Sequence, residues 1–230
     1  MTLWYPLVPR QEDEVGKKTK LTHRFAETPI DDQPPRRRAI LAAAFDVLME
    51  RGYAGANTLE IATRAKVSKR ELYAEFGNKA GILEALIATT SARMQAPLNL
   101  PEVTDRSALA AVLTRYGVTA LSELCHPAVI AINRLAVAEA GGASELGHIL
   151  DRGGREPNRL ALVGFIARAQ KAGQLGKGDP DRMSGQFFSL LFGDIPVRLM
   201  LGTIAPPAAK EIKERAEAAT DALLRLHPLA

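Results

Sequence analysis

From residue 36 onward the apolar positions fall into a helical period. Ile40, Leu41, Ala44, Phe45 and Leu48 recur at three- and four-residue spacing, which places them on one helix face, and Gly52 supplies a C-terminal stop. A short helix is expected from Thr58 to about Ala65, with Thr58 as its N-cap and Leu59, Ile61, Ala62 and Ala65 turned inward. Lys66-Val67-Ser68 reads as a tight turn, and a second short helix runs from Lys69 to Phe76. Ser68 and Glu71 have the spacing of a capping box, which fixes where that second helix begins. Gly77-Asn78 ends it, and Asn78 can cap a further helix over residues 79–95.

Beyond Pro97 proline and glycine divide the chain into more helices. One is expected over 105–124, one from Pro127 to Gly141, a short turn over 144–151, and a helix from Pro157 to Gly173. Asp179-Pro180 opens a long helix to about Leu201, kinked at Pro196, and Pro206-Pro207 opens the last one, to about Leu226. The fold class is therefore all-α. Residues 1–34 lack periodicity and mix charges with prolines. They read as a flexible tail, either a plain extension or an arm adding phosphate contacts. This gives three parts: a tail over 1–34, a three-helix unit with a helix-turn-helix over 35–82, and a larger helical domain over 83–230.

Composition sharpens this picture. Apolar residues make up 47% and aromatics 5%, a balance that favours helix over strand in this Ala- and Leu-rich chain. The net charge is +4. Residues 36–80 hold nine bases and five acids, so this short stretch carries a charge equal to that of the whole chain, as expected of a polyanion-binding region. Cys125 is the single cysteine, which excludes an intrachain disulfide and fits a reducing compartment. No apolar run reaches membrane-spanning length, so no membrane partner is expected. The first residues lack the charged and apolar regions of a secretory signal, so a cytoplasmic location is expected.

Catalysis and metal binding find little support. His23, His126, His148 and His227 are scattered, and none forms a zinc-type pair with Cys125. There is no Gly-rich phosphate loop and no G-x-S-x-G elbow, and the adjacent Cys125-His126 is not a catalytic dyad. Neither an enzymatic role nor a cofactor is expected. Cys125 reads as a buried thiol, with redox sensing as the alternative.

Two short helices joined by a three-residue turn, the second capped and basic at its start, form a helix-turn-helix pattern. Its first helix sets the second across a DNA major groove, where early side chains reach base edges. The run Arg38 to Phe45, then Gly52-Tyr53, Thr58-Leu59-Glu60-Ile61-Ala62, Val67 to Phe76 and Asn78-Lys79, resembles the DNA-binding domain of TetR-family regulators. The resemblance implies double-stranded operator DNA as partner and assigns roles by position. Lys69, Arg70, Tyr73 and Ala74 would face DNA. Lys69 and Arg70 would donate to guanine edges, and Tyr73 would touch a phosphate or a thymine methyl. Ser68 joins this set, while Thr58 and Lys79 would bind phosphates. Lys66 and Gly81 depart from the family pattern. Lys66 holds a turn position where glycine is common and is expected to be left-handed, and Gly81 weakens the start of its helix.

In the C-terminal half, Asn133 to Ala140 and Ala172-Gly173-Gln174-Leu175 followed by Asp179-Pro180 resemble the AefR-like subgroup. The last two helices offer Met183, Phe187, Leu190 and Leu191 on one, and Ile212, Ala216, Ala219 and Leu223 on the other. These stripes can build a homodimer's four-helix bundle or pack within one subunit, and the resemblance favours the dimer. Such a dimer would read half-sites about one DNA turn apart, roughly 34–36 Å. A small-molecule effector, mostly apolar, is implied by the family. Leu121, Asn133, Arg134, Phe165 and Phe188 are the candidate pocket residues. A repressor released by that effector is the implied mode. A ligand-binding helical protein that has lost DNA binding, and an enzyme on the same scaffold, remain alternatives.

Overall fold

The computed structural model describes residues 34–99, 103–140 and 145–229. The expected tail lies outside them, apart from Pro34, which stands at the N-cap of the first helix. Among the described residues the regular elements are all helical. They are α1 (Pro35–Gly55), α2 (Thr58–Arg64), α3 (Lys69–Phe76), α4 (Lys79–Gln95), α5 (Arg106–Leu124), α6 (Pro127–Ala138), α7 (Glu145–Leu150), α8 (Glu156–Lys171), α9 (Pro180–Phe192), α10 (Ile195–Leu201) and α11 (Ala209–Leu226). A 3₁₀ turn, Ala96–Asn99, follows α4, and a π turn, Asp151–Arg155, joins α7 to α8.

Apolar burial makes two cores. The first gathers Ile40, Leu41, Phe45 and Leu48 of α1, Ile61 of α2, Leu72 and Phe76 of α3, and Ile82 and Leu86 of α4. It also takes in Ala128, Ile132 and Ala136 of α6 and Leu146 and Ile149 of α7. The second gathers Leu109, Leu113 and Tyr116 of α5, Leu162, Phe165 and Ile166 of α8, Met183, Phe187 and Leu191 of α9, and Ile212, Ala216 and Leu223 of α11. Gly117 lets α5 approach closely: a Cβ there would lie 3.0 Å from the Ala216 methyl and 3.3 Å from the Phe187 ring. The apolar residues of α4 belong to the first core, and its part-buried Arg93 ties it to the second by donating to Glu123 of α5 at 2.7 Å.

Three expectations about helix boundaries are corrected. The turn over 144–151 and the start at Pro157 give way to a helical path from Glu145 to Lys171, with the π turn inside it. Gly153 and Gly154 in that turn lie against Ile87 of α4, where an added Cβ would stand 3.2 and 3.3 Å from the Ile87 methyl. The expected helix from Pro180 to Leu201 is two helices rather than one kinked helix. Gly193, with φ +49°, stops α9, and Pro196 then occupies the first turn of α10, where its missing N–H is harmless. Thr58 is not the cap of α2. Asn57 is, its Oδ1 accepting the Leu59 N–H at 2.8 Å.

The paired stripes on α9 and α11 also face differently from the dimer expectation. Met183, Phe187, Leu191, Ile212, Ala216, Ala219 and Leu223 are buried within one subunit, against α5. Of the named set Leu190 alone is exposed. The physical reason is that α5 supplies a third apolar helix, so the seam is filled before a second copy arrives.

Candidate DNA-binding surface and ligand cavity

The turn between α2 and α3 is built from backbone hydrogen bonds. Val67 N–H donates to Ala62 O at 3.0 Å and Lys66 N–H to Thr63 O at 3.2 Å, a Schellman arrangement whose left-handed position is Lys66, φ +56°. A lysine there carries strain that glycine avoids. The next helix starts sharply. Ser68 Oγ accepts the Glu71 N–H at 3.1 Å, and the Glu71 carboxylate accepts the Ser68 N–H at 2.8 Å. These bonds, with Arg36 at 3.1 Å, hold the Glu71 carboxyl below the usual carboxylate range. Glu71 is thus committed to the cap and to α1, rather than left to repel a phosphate.

Leu72 and Phe76 anchor α3 in the core, and this turns Lys69, Arg70, Tyr73 and Ala74 to solvent. The bases around α3 then divide into two groups. Arg37 pairs with Glu75 at 2.6 Å, and Arg64 with Glu50 at 2.6 Å and Glu60 at 2.5 Å. Lys66, Lys69 and Arg70 have no acidic partner among the described residues, and all three sit at the opening of α3. The Lys69 ammonium lies 5.6 Å from the Tyr73 ring centroid. Tyr73 Oη and Thr58 Oγ1 stand 3.1 Å apart, joining α3 to the start of α2.

Lys79 does something other than wait for a phosphate. Its ammonium donates to Tyr53 O at 2.7 Å and lies 4.3 Å from the Tyr53 ring centroid. Tyr53 Oη in turn donates to Glu145 of α7 at 2.8 Å, and burial with this carboxylate raises the phenol above its ordinary value. Lys79 therefore belongs to a chain of contacts from α4 through Tyr53 to α7. Gly81 has a reason too: a Cβ there would collide with Phe76 O, which folds over the start of α4.

A cavity of about 870 Å³ lies between the two cores, within the range of roughly 300–1,000 Å³ usual for small-molecule sites. Its wall is mostly apolar. It includes Ile87 and Met94 of α4, Tyr116 of α5, Ile132 of α6, and Phe188 and Phe192 of α9. Phe188 and Phe192 stack at 5.4 Å. Asn133 and Phe188 of the expected pocket set line this cavity. Leu121 and Phe165 do not, because both are buried in the second core. Arg134 is drawn elsewhere, donating to Met200 O at 2.8 Å and Leu199 O at 2.6 Å at the carbonyl end of α10. Sequence reasoning missed Phe45, Asn158 and the π turn. Phe45 looked like a plain core residue of α1, yet it also lines the cavity.

Cys125 is buried, and burial pushes its thiol up to about 11, which leaves it protonated and weakly nucleophilic at neutral pH. Among the described residues no group of three metal-ligating side chains comes together, and no helix is long and apolar enough to cross a membrane.

A capped, basic, solvent-facing second helix, with a half-open cavity among the helices behind it, defines a helix-turn-helix DNA-binding protein with a helical C-terminal domain. Residues 40–86 match the family of bacterial regulatory proteins called tetR, and residues 111–227 match the AefR-like transcriptional repressor C-terminal domain. The chain belongs to the TetR family, whose members are transcription regulators and not enzymes. It is 30% identical to the uncharacterized HTH-type transcriptional regulator YdeS of Bacillus subtilis, over 71% of this chain and 78% of that one. A TetR transcriptional regulator from Agrobacterium tumefaciens is similar in structure, with TM-score 0.70 and 30% identity over 84% of this chain and 95% of that one. The flavonoid-responsive regulator FrrA is similar as well, with TM-score 0.66 and 26% identity over 85% and 98%.

Proposed function

We propose that this protein is a homodimeric repressor, released from its operator when a small, mostly apolar molecule fills the cavity between its two cores. Residues 35–82 act as the DNA-binding head and residues 83–230 as the effector-binding and dimerisation body. In this reading Lys69 and Arg70 contact base edges, Tyr73 and Ala74 lie against the groove, and Ser68 and Thr58 meet phosphates. The observation that carries it is the segregation of charge within the head: Arg37 and Arg64, which flank α3, are neutralised by Glu75, Glu50 and Glu60, while Lys66, Lys69 and Arg70 at its start have no acidic partner among the described residues. In this reading the protein works in the cytoplasm, where its operator would be.

The release mechanism draws on the cavity wall. Phe45 comes from α1 of the head itself, and Ile87 and Met94 come from the helix that carries the head. Gly147 and Leu150 of α7 also line the cavity, and Glu145 of that helix holds Tyr53 of the head. An occupant that favours one placement of these helices shifts the spacing of the two recognition helices by population shift. FrrA, by its name, responds to flavonoids, and an aromatic effector suits a wall carrying stacked Phe188 and Phe192. Dimerisation uses the surface left apolar on α9 and α10, where Leu190 is 40%, Val197 53% and Leu201 72% exposed.

The test is fluorescence anisotropy with DNA from upstream of the protein's own gene, across a salt series, with unrelated DNA as control. Preferential binding that weakens steeply with salt is expected. Equal, weak binding to that DNA, and to every fragment in a genome-wide capture, would contradict the proposal and favour a ligand-binding protein without an operator.

A further inference from the structure

The polar groups in the cavity wall say more about its occupant than the apolar ones. Asn158 of α8 is buried and lines the cavity. Its Nδ2 donates to Gly154 O at 2.8 Å and to Ser91 Oγ at 3.1 Å. A carbonyl oxygen can only accept, so the contact with Gly154 fixes which end of the carboxamide is the amine. The other end, Oδ1, is buried with no hydrogen-bond partner. Asn133 of α6 repeats part of the pattern. Its Nδ2 donates to Val129 O at 2.8 Å, and its Oδ1 has no donor among the described residues. Asn158 spends both its N–H groups and leaves a buried acceptor over, while the half-buried Asn133 spends one N–H on the carbonyl four residues back and leaves one N–H and its Oδ1 over.

The charged groups in the wall show the opposite condition. Arg155 donates to Asp151 at 2.5 Å. Arg159 holds Glu156 through two bonds, at 2.6 and 2.8 Å, and pairs with Asp181 as well. Asp151, Arg155, Arg159 and Asp181 all line the cavity, and each is already matched by an opposite charge. A carboxylate entering here finds no vacant cation, and since the Arg155–Asp151 and Arg159–Asp181 pairs are largely exposed, what opposes it is the loss of its own hydration against the apolar part of the wall. A hydroxyl that reaches Asn158 Oδ1, which is closed to solvent until the Asn158 side chain turns toward the cavity, meets a buried acceptor that lacks a donor, a condition that folded proteins rarely leave unmet.

We infer that the cavity takes an uncharged apolar molecule bearing a hydrogen-bond-donating group, such as a phenol or alcohol, whose donor is received by Asn158 Oδ1 with Asn133 Oδ1 as a second acceptor, and that it rejects the corresponding carboxylate. This rests on the reading of the cavity as the effector site. A site built around such a bond discriminates strongly against an analogue that cannot make it, since the acceptor is then left dry and unpaired.

The experiment uses three probes with one ring system: 2-naphthol, 2-methoxynaphthalene and 2-naphthoate, titrated calorimetrically into the full-length protein at neutral pH. The 2-naphthol is expected to bind at least roughly tenfold more tightly than either of the others. Asn158→Leu is expected to remove most of that advantage, and Asn133→Leu a smaller part. Should Asn158→Leu fail to fold, the wild-type comparison and Asn133→Leu still decide. Ether or naphthoate binding as tight as 2-naphthol overturns the inference, as does an advantage that survives both substitutions, or wild-type protein that binds none of the three. Val129→Trp, which narrows the cavity from its wall beside Asn133, separates this inference from the reading beneath it. Wild-type binding with no preference among the probes, weakened in Val129→Trp, overturns the inference alone. Unchanged binding in Val129→Trp and again in the double variant Val129→Trp, Gly185→Phe, which narrows the cavity from α6 and α9 together, places the probes outside the cavity and overturns the reading of the cavity as well.

Discussion

The head and the body of this molecule keep their function in opposite places. In the head, the residues that would meet DNA project outward from α3, a helix of 8 residues whose start is fixed by Ser68 and Glu71 three positions apart. In the body, the proposed effector site is a half-open cavity, assembled from side chains on α1 and on α4 through α10 that are far apart in the chain. The lesson concerns where information sits. A surface built on one short helix is specified by neighbours in sequence, while a cavity is specified by which helices meet.

The strongest way to break the comparison is to attack the seam of α11. If Leu223 belongs to the core of one subunit, Leu223→Ala costs about 2–5 kcal/mol of stability, whatever the protein concentration. Thermal unfolding over a hundredfold range of concentration checks this. A loss confined to dilute protein would return the residue to a dimer interface. Next in size is the head. Arg70→Ala is expected to weaken specific operator binding by about 1–3 kcal/mol while the dimer and the fold persist. Anisotropy and sedimentation read the two properties separately, and unchanged operator affinity would remove Arg70 from the contact set.

These expectations show what could be read in advance. The helix-turn-helix was legible because caps, turn and apolar spacing all act within a few residues, and even the left-handed Lys66 follows from its place in the turn. The places of Lys79 and Thr58 were not, since Tyr53 and Tyr73, which engage them, arrive from elsewhere in the chain. Periodicity found the apolar stripes of α9 and α11 but not the helix they face. The close approach of α5 depends on Gly117, one small residue with no signature of its own. For the same reason Leu121 and Phe165 looked equivalent to Phe188, although only Phe188 reaches the cavity.

Smaller effects sharpen the account of the head. Glu71 has a folded pKa held below its unfolded value by its bonds to Ser68 and by Arg36, so its contribution is present above the ordinary carboxylate range. That contribution is lost as pH falls through the lowered folded value. A carboxyl titration by NMR is expected to place Glu71 below the exposed glutamates, and Ser68→Ala to move it back toward them at a cost of about 1 kcal/mol in stability. An ordinary midpoint in the wild type would mean the capping box does not persist in solution. Smallest is Lys66→Gly, which relieves the left-handed backbone and is expected to change stability by less than about 1 kcal/mol, because glycine also loosens the unfolded chain. A denaturant melt checks it, and a clear destabilisation would show that the Lys66 side chain has a role beyond the turn.

The central claim is that filling the cavity releases the head from DNA. Val129→Trp tests it without knowledge of the natural effector, because the indole takes up part of the space an effector would enter. Operator affinity, measured by anisotropy beside thermal stability, is expected to fall at least roughly fivefold in Val129→Trp while the protein stays folded and dimeric. A folded Val129→Trp protein that no longer binds 2-naphthol yet holds its operator as tightly as the wild type would contradict the account.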